Sequence, residues 1–165
     1  MIGANPQTIE TPLLIVGPGP AGLVIAKVVS GRGLPCLIVG HEAADNTEPV
    51  ALDSESVAIL EPHGVLAVLR PYAVAQNPFT IASLAFENAL KHHCVADMLV
   101  TVYDDMHVNE ASTTAGGLHG ELTDGRNTWE IQADAFVDVS KFSIDLNDAV
   151  HQAAAFGNQL MSTIS

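Results

Sequence analysis

Three glycines near the start of the chain, Gly17, Gly19 and Gly22, stand at the spacing GxGxxG. In a dinucleotide-binding loop the first glycine allows the tight turn from strand to helix. The second lets the backbone approach a pyrophosphate, and the third lets the helix and strand pack closely. We predict that these glycines, together with Pro20 and Ala21, bind a dinucleotide cofactor. The alternative is an ordinary glycine-rich turn in a βαβ unit.

The residues around this loop predict the elements that would position it. An apolar run at residues 12–16 predicts a strand, and an apolar pattern of helical period predicts a helix near residues 21–30, whose N-terminus would face the phosphates. A second apolar run at 34–39 predicts a parallel strand, so that residues 11–42 form the βαβ motif. An acid at the end of that second strand normally holds the ribose hydroxyls. By spacing this position is Gly40, and the nearest carboxylate, Glu42, is taken as the substitute.

The rest of the sequence contains further helix and strand patterns. It shows no clear boundary of a second domain, so residues 1–165 are taken as one domain. In order, we predict helices at 53–60, 65–75 (broken at Pro71) and 80–93, strands at 98–103, 119–122, 128–132 and 135–139, and a loop leading to a helix start at 149–156. The predicted fold class is α/β, with a Rossmann-like parallel sheet, flanking helices and a small β-hairpin layer.

Other groups of reactive side chains are explained better by structure than by chemistry. His92-His93-Cys94 lacks a second ligand pair at metal spacing, so no metal site is predicted. Asp104-Asp105 is interpreted as a solvated turn at a strand end. Ser54 is not flanked by the GxSxG of a nucleophile elbow. The catalytic residues therefore stay unknown at this stage.

The composition excludes several classes of partner. Of the 165 residues, six are basic and nineteen acidic, which gives a formal net charge of −13 that would repel nucleic acid and anionic membranes. The two cysteines have no paired spacing and are interpreted as reduced thiols. We find no basic, apolar leader and no apolar run long enough to span a membrane. These features predict a soluble, acidic, cytoplasmic protein.

Several segments, in the right order, resemble the FAD-dependent aromatic hydroxylases, which are single-component flavoprotein monooxygenases such as phenol and hydroxyphenylpropionate hydroxylases. Residues 11–23 are similar to their first strand and glycine loop. The other similar segments are 50–56 with Ile59-Leu60 and Gly64-Val65, 120–125 with 131–137, and 147–152 with 156–161. The last pair resembles their second flavin motif, usually written GDAAH, which is taken here as residues 147–165.

This resemblance implies an FAD-binding protein that, if active, takes electrons from NAD(P)H and inserts one oxygen atom from O₂ into an aromatic substrate. Asp148 matches the aspartate that hydrogen-bonds the ribityl chain of the flavin; a surface acid or helix cap is the alternative. Gly157 and Asn158 match the start of a helix that points its N–H groups at the pyrimidine edge of the flavin.

Several positions depart from the family pattern. Gly40 replaces the ribose acid, Glu48 lies where an arginine is usual, Ser140-Lys141 replaces an Asp-Gly pair, and Asn147 replaces the glycine of the second motif. The long β-rich region that supplies much of the substrate pocket in those enzymes is nearly absent after Val139. Two other interpretations therefore stay open: a non-catalytic nucleotide-binding module, and a chain that completes its fold as a homo-oligomer.

Overall fold

Within residues 7–42, 47–143 and 145–164, which the computed structural model describes, the chain forms two β-sheets and five α-helices. The strands are β1 (Thr8–Val16), β2 (Cys36–Val39), β3 (Pro49–Ala51), β4 (Ala75–Gln76), β5 (Phe79–Ala82), β6 (Val100–Tyr103), β7 (His107–Thr114), β8 (Gly117–Thr123) and β9 (Thr128–Asp138). The helices are α1 (Ala21–Ser30), α2 (Ser54–Leu60), α3 (Val65–Leu69), α4 (Ser83–Val95) and α5 (Leu146–Ile164).

The larger sheet has the strand order β6-β2-β1-β9-β8-β7. Strands β6, β2, β1 and β9 are parallel, whereas β7 and β8 are antiparallel to their neighbours. Val16 is in register with Val39 on one side and with Asp138 on the other. The carboxyl ends of these parallel strands therefore meet at the edge where the glycine loop begins, and the predicted βαβ unit is confirmed.

One face of this sheet packs against α1, and every residue of α1 is buried. Leu13 and Ile15 lie in the same core cluster as α1, which also contacts α4 and α5. Burying a leucine or isoleucine side chain contributes about 1.5–3 kcal/mol, so this layer stabilises both ends of the glycine loop. The all-round apolar sequence of α1 is what a helix enclosed on all sides requires.

The opposite face of the sheet carries a second core cluster. Leu14 of β1 and Leu37 of β2 belong to it, together with Leu118 and Leu122 of β8 and Ile131 of β9. The predicted hairpin layer, formed by β8 and β9, is therefore present. It belongs to the main sheet through β9, and it also covers one face of that sheet. A separate small sheet, of order β3-β5-β4, is antiparallel.

The structure corrects several predicted boundaries. Residues 79–82 form β5 and not the first turn of a helix, because Phe79 and Ile81 alternate with more exposed residues and are buried in the core. Only residues 65–69 of the segment 65–75 are α-helical, and a 3₁₀ turn at Arg70–Tyr72 follows at Pro71. The predicted strands at 128–132 and 135–139 are one strand, β9, and β7 was not predicted.

The end of the chain differs most from expectation. In place of a loop and a helix start, residues 146–164 form one helix of 19 residues. Its apolar residues face α1, and this contact stabilises the helix along its length. None of the helices within the described ranges is both long and apolar enough to cross a bilayer.

Candidate dinucleotide-binding site

The loop from Gly17 to Pro20 joins the carboxyl end of β1 to α1. Gly19 has a φ of +96°, which side-chain-bearing residues rarely adopt, and a Cβ atom placed there would meet no atom within 4 Å. The backbone at Gly19 therefore borders open space that a phosphate group could enter. The Gly17 N–H donates to the carbonyl of Val39 at 3.2 Å, which ties the loop to the end of β2.

The other two glycines of the GxGxxG motif, Gly17 and Gly22, are close-packed. A Cβ atom on Gly17 would lie 3.1 Å from the Ser140 nitrogen and 3.2 Å from Cγ2 of Val139. One on Gly22 would lie 3.0 Å from Cγ2 of Ile15, so the absence of a side chain lets α1 pack closely on β1. The three glycines thus have the turn, open-approach and close-packing environments that their spacing predicts.

The N-terminus of α1 has the electrostatic character of an anion site. Pro20 is its N-cap residue, no side chain caps the helix, and its first turn contains no acidic residue. The first amides of a helix have no partner within the helix, and the helix dipole places partial positive charge at this end. A pyrophosphate beside Gly19 would therefore meet N–H groups and a favourable local potential.

The ribose side of the site differs from the usual arrangement. Gly40 has a φ of +66°, and its N–H donates to the Tyr103 carbonyl at 3.3 Å. A Cβ atom at position 40 would lie 3.6 Å from the Met106 carbonyl oxygen and 3.9 Å from Nδ1 of His107. The carbonyl of Glu42 accepts a hydrogen bond from the Gly19 N–H at 3.0 Å. The structure thus brings Glu42 to the loop through its backbone, while its side chain is exposed.

A buried pair that the sequence analysis missed anchors the end of β2. Nε2 of His41 lies 3.3 Å from Oε1 of Glu87 on α4, and the two side chains are 2% and 0% exposed. Nδ1 of His41 lies 4.0 Å from Oδ1 of Asp104, which also forms an ion pair with Lys91. These contacts connect the residues after β2 to α4 and to the turn after β6. Neither the spacing nor the type of these residues signals the contact, because it joins separate elements.

A second missed group lies at the end of β9. Oδ1 of Asp138 accepts hydrogen bonds from the Ser140 N–H at 3.0 Å and from its hydroxyl at 2.6 Å. The same carboxylate oxygen lies 3.5 Å from the Cβ position of Gly17. The signal in the sequence was an acid, Asp138, directly after the apolar residues 135–137. In the structure Asp138 is in register with Val16, the residue before the glycine loop. These side chains border the glycine loop.

The first turns of α5 pack against α2. Oδ1 of Asn147 accepts from the Asp53 N–H and the Ser56 hydroxyl, each at 2.9 Å. Nε2 of His151 lies 3.0 Å from Oδ1 of Asp53, whose hydrogen bond raises the pKa of His151 above its ordinary value. Asp148 lies in the first turn of α5 and is exposed. A ribityl contact by Asp148 stays a prediction.

The helix start predicted at Gly157 is wrong. Gly157 lies inside α5, where a Cβ atom would be 2.7 Å from Cγ1 of Val28, so the residue serves close packing between α5 and α1. Oδ1 of Asn158 accepts a hydrogen bond from Arg32, just beyond the C-terminal end of α1. Since α1 is about 15 Å long, Gly157 and Asn158 lie at the opposite end of it from Gly19.

The described ranges contain no candidate metal centre, since no three or more of their His, Cys, Asp or Glu side chains are placed together to hold a metal ion. The thiols of Cys36 and Cys94 are both buried, and burial is the main cause that raises the pKa of each to about 12. The thiols are therefore protonated and poor ligands at neutral pH.

Comparison with known proteins extends these observations. The family model described as FAD binding domain matches residues 10–153. No curated protein sequence matches the chain. The fold is similar to the flavin-dependent monooxygenase PieE, solved with FAD and substrate, with a TM-score of 0.68 and 18% identity over 78% of this chain and 30% of that one.

Two further solved structures share the fold. The p-nitrophenol 4-monooxygenase PnpA from Pseudomonas putida DLL-E4 has a TM-score of 0.66 and 19% identity, over 80% of this chain and 40% of that one. The anhydrotetracycline hydroxylase OxyS from Streptomyces rimosus has a TM-score of 0.65 and 15% identity, over 79% and 31%. The chain thus spans less than half the length of each of these proteins.

Proposed function

The chain belongs to the FAD binding domain family, and we propose on that premise that it binds FAD with the pyrophosphate against Gly19 and the N-terminus of α1. The observation that carries this proposal is the open space at Gly19 beside an uncapped helix end that has no acidic first-turn residue. Gly17 and Gly22 permit the tight packing that holds this cradle, and Pro20 and Ala21 lead the chain into α1. The residues present therefore fit a pyrophosphate.

The rest of the protein opposes this local attraction. A net charge of −13 repels an anionic dinucleotide at long range, whereas the helix end acts over a few ångströms. Salt screens the long-range repulsion first, because the Debye length is about 8 Å at 0.15 M. We therefore expect FAD affinity to rise between low and physiological ionic strength, which is the opposite of the trend for a basic site.

The ribose end of FAD would lie near Gly40, where no side chain is present. We propose that the carboxylate of Glu42 accepts the ribose hydroxyls in place of the usual acid. Its backbone contact with Gly19 supports this proposal, since that contact keeps residue 42 beside the loop. Replacing Glu42 with Gln should weaken FAD binding about three- to tenfold, as expected for one charge-assisted hydrogen bond.

When bound, FAD would supply the redox and oxygen chemistry, while the chain would supply binding and orientation. We propose monooxygenation of an aromatic substrate, with NAD(P)H as the electron donor. The similarity of the fold to two monooxygenases and a hydroxylase supports this activity. We also propose a cytoplasmic location, which the protonated, unpaired thiols support.

The alternative function is a non-catalytic FAD-binding module. The departures from the family pattern favour it, among them Gly40 in place of the ribose acid and Asn147 in place of the glycine of the second motif. Oxidation of NAD(P)H that an added phenol stimulates would exclude this alternative. Light scattering would test the third interpretation, since a monodisperse monomer that unfolds cooperatively would exclude an obligate homo-oligomer.

The decisive experiment measures the visible absorption of the purified protein before and after FAD is added and free FAD is removed. Gly19→Val should abolish the retained flavin band, and it should weaken FAD at least tenfold in a calorimetric titration. The chain offers a matched control in Gly33, which has a φ of +88° and no atom within 4 Å of its Cβ position. Gly33→Val imposes comparable backbone strain beyond the other end of α1.

The control separates loss of the site from loss of the fold. Gly33→Val should lower the melting temperature about as much as Gly19→Val does, yet it should keep the wild-type FAD affinity. Unchanged FAD binding in Gly19→Val would refute the site assignment. Equal losses of FAD binding in both variants would attribute the effect to general destabilisation.

A further inference from the structure

A cavity of about 340 Å³ lies apart from the glycine loop, between the turn after β6 and the turn that joins β8 to β9. Its walls include Tyr103, Asp105, Met106, Asp124, Trp129 and Ile9. No residue from 17 to 22 lines it. Ile9 belongs to the opposite end of β1 from that loop, roughly 25 Å away along the strand. Tyr103, in contrast, adjoins the turn at Gly40, whose N–H donates to the Tyr103 carbonyl.

The walls of the cavity offer aromatic surface. Tyr103 is 40% exposed, and it is one of few large apolar residues of the described chain with that much solvent contact. Trp129 is half-buried and packs against the second core cluster, which also contains the buried Met106. Packing holds the indole in place before a ligand arrives, so a flat ring can contact it at a low entropic cost.

Two carboxylates border the same space from different turns. Asp105 is exposed in the turn after β6. Oδ1 of Asp124 accepts hydrogen bonds from the N–H groups of Asn127 and Arg126, each at 2.8 Å. The Asn127 bond, followed by the Arg126 bond, lowers the pKa of Asp124, so this carboxylate is ionised at neutral pH. The Arg126 side chain is not among those that line the cavity.

We propose that this cavity binds a flat aromatic compound that carries a positive charge, such as an arylalkyl ammonium ion. The ring contacts Trp129 and Tyr103, whose π-faces also attract cations. The charge lies beside Asp105 and Asp124. An anionic or neutral ring of the same size gains only the apolar part of this interaction. The proposal does not depend on FAD binding, although the cavity adjoins the turn at Gly40, beside which the ribose end of FAD is proposed to lie.

The test uses benzylammonium, benzyl alcohol and benzoate, which match in size and differ in charge. Trp129 is the single tryptophan of the chain, so its fluorescence reports on this cavity, and calorimetry gives the affinities. Benzylammonium should bind at least fivefold more tightly than benzyl alcohol, and benzoate should bind most weakly. Equal affinity for benzylammonium and benzyl alcohol, or no fluorescence change with any of the three, would overturn the proposal.

Matched variants locate the binding site. Asp105→Asn should weaken benzylammonium about three- to tenfold. Asp134→Asn removes one exposed charge from β9 outside the cavity and should leave the affinity unchanged. Gly19→Val should also leave it unchanged. Equal effects of the two aspartate variants would show that only the net charge of the protein attracts benzylammonium. Loss of binding in Gly19→Val would show that benzylammonium binds at the glycine loop. Either result would overturn the proposal.

Discussion

Gly157→Ala tests whether Gly157 is a packing residue between two helices or part of the flavin site. A Cβ atom at this position would lie 2.7 Å from Cγ1 and 3.1 Å from Cβ of Val28. Val28 is 2% exposed, and its β-branched side chain has one strongly preferred rotamer in a helix. Since all of α1 is buried, its backbone has little freedom to move away.

Two opposing effects set the magnitude. Replacing glycine by alanine inside a helix stabilises it by about 1 kcal/mol through propensity alone. Forcing one additional carbon into a well-packed contact costs about 1–3 kcal/mol, and the stiffness of Val28 places this case in the upper part of that range. We therefore expect Gly157→Ala to lower the free energy of unfolding by about 1–2 kcal/mol, although alanine is the better helix former.

Urea denaturation followed by circular dichroism measures this change, and a double-mutant cycle identifies its cause. Val28→Ala creates the space that the new methyl group needs, so the double variant should be more stable than the sum of the two single effects by about 1 kcal/mol. FAD affinity should be the same in Gly157→Ala as in the wild type. Stabilisation by the full propensity gain would refute the packing argument, and loss of FAD binding in a stable Gly157→Ala protein would restore the flavin assignment.

Three other predictions follow from side chains with perturbed pKa values. His151→Gln should lower the free energy of unfolding more near about pH 5.5 than near about pH 8.5 in urea titrations. The raised pKa of His151 stabilises the folded protein below the pKa of the unfolded state, and this stabilisation is lost as pH rises through the pKa of the folded state. The cost should stay below about 1 kcal/mol for so exposed a group. Asp97→Asn should lower the free energy of unfolding by about 2–3 kcal/mol at neutral pH, because it leaves the buried Lys27 ammonium without the carboxylate that lies 2.9 Å away. Burial opposes ionisation of Asp97, but its hydrogen bonds prevail and lower its pKa, so the wild-type protein should also lose stability in urea titrations as pH falls below the ordinary pKa of 3.8. Cys36 and Cys94 should not react with a disulfide reagent at about pH 8 until the protein unfolds, because both pKa values are raised to about 12; rapid labelling of the folded protein would contradict their burial.

The first βαβ unit could be predicted because its signals are local. A β-branched run, glycines at fixed spacing and an apolar helix follow one another within 30 residues, and the observed bounds of β1, α1 and β2 lie within four residues of the predicted ones. The N-cap of α2 is also local: Asp53 accepts a hydrogen bond from the Ser56 N–H at 2.7 Å. Such contacts are encoded within a few residues of sequence.

The elements that were missed depend on partners that are distant in the sequence. Strand β7 contains few apolar residues and is stabilised by its pairing with β8. Helix α5 extends past the predicted loop because α1 covers one side of it. The same reason explains the candidate site: the glycines were identified from their spacing, whereas the His41–Glu87 pair and the approach of Asp138 to Gly17 exist only once separate elements have packed together.

The left-handed backbone at Gly40 limits where this turn can hold an acid. A glutamate at position 40 would have to adopt a φ near +66°, which costs about 1–2 kcal/mol for a residue with a side chain. Its Cβ atom would lie 3.6 Å from the Met106 carbonyl oxygen and 3.9 Å from Nδ1 of His107. An engineered acid at this position therefore costs stability unless the turn is redesigned with it, whereas an acid at a neighbouring position such as Glu42 avoids that cost.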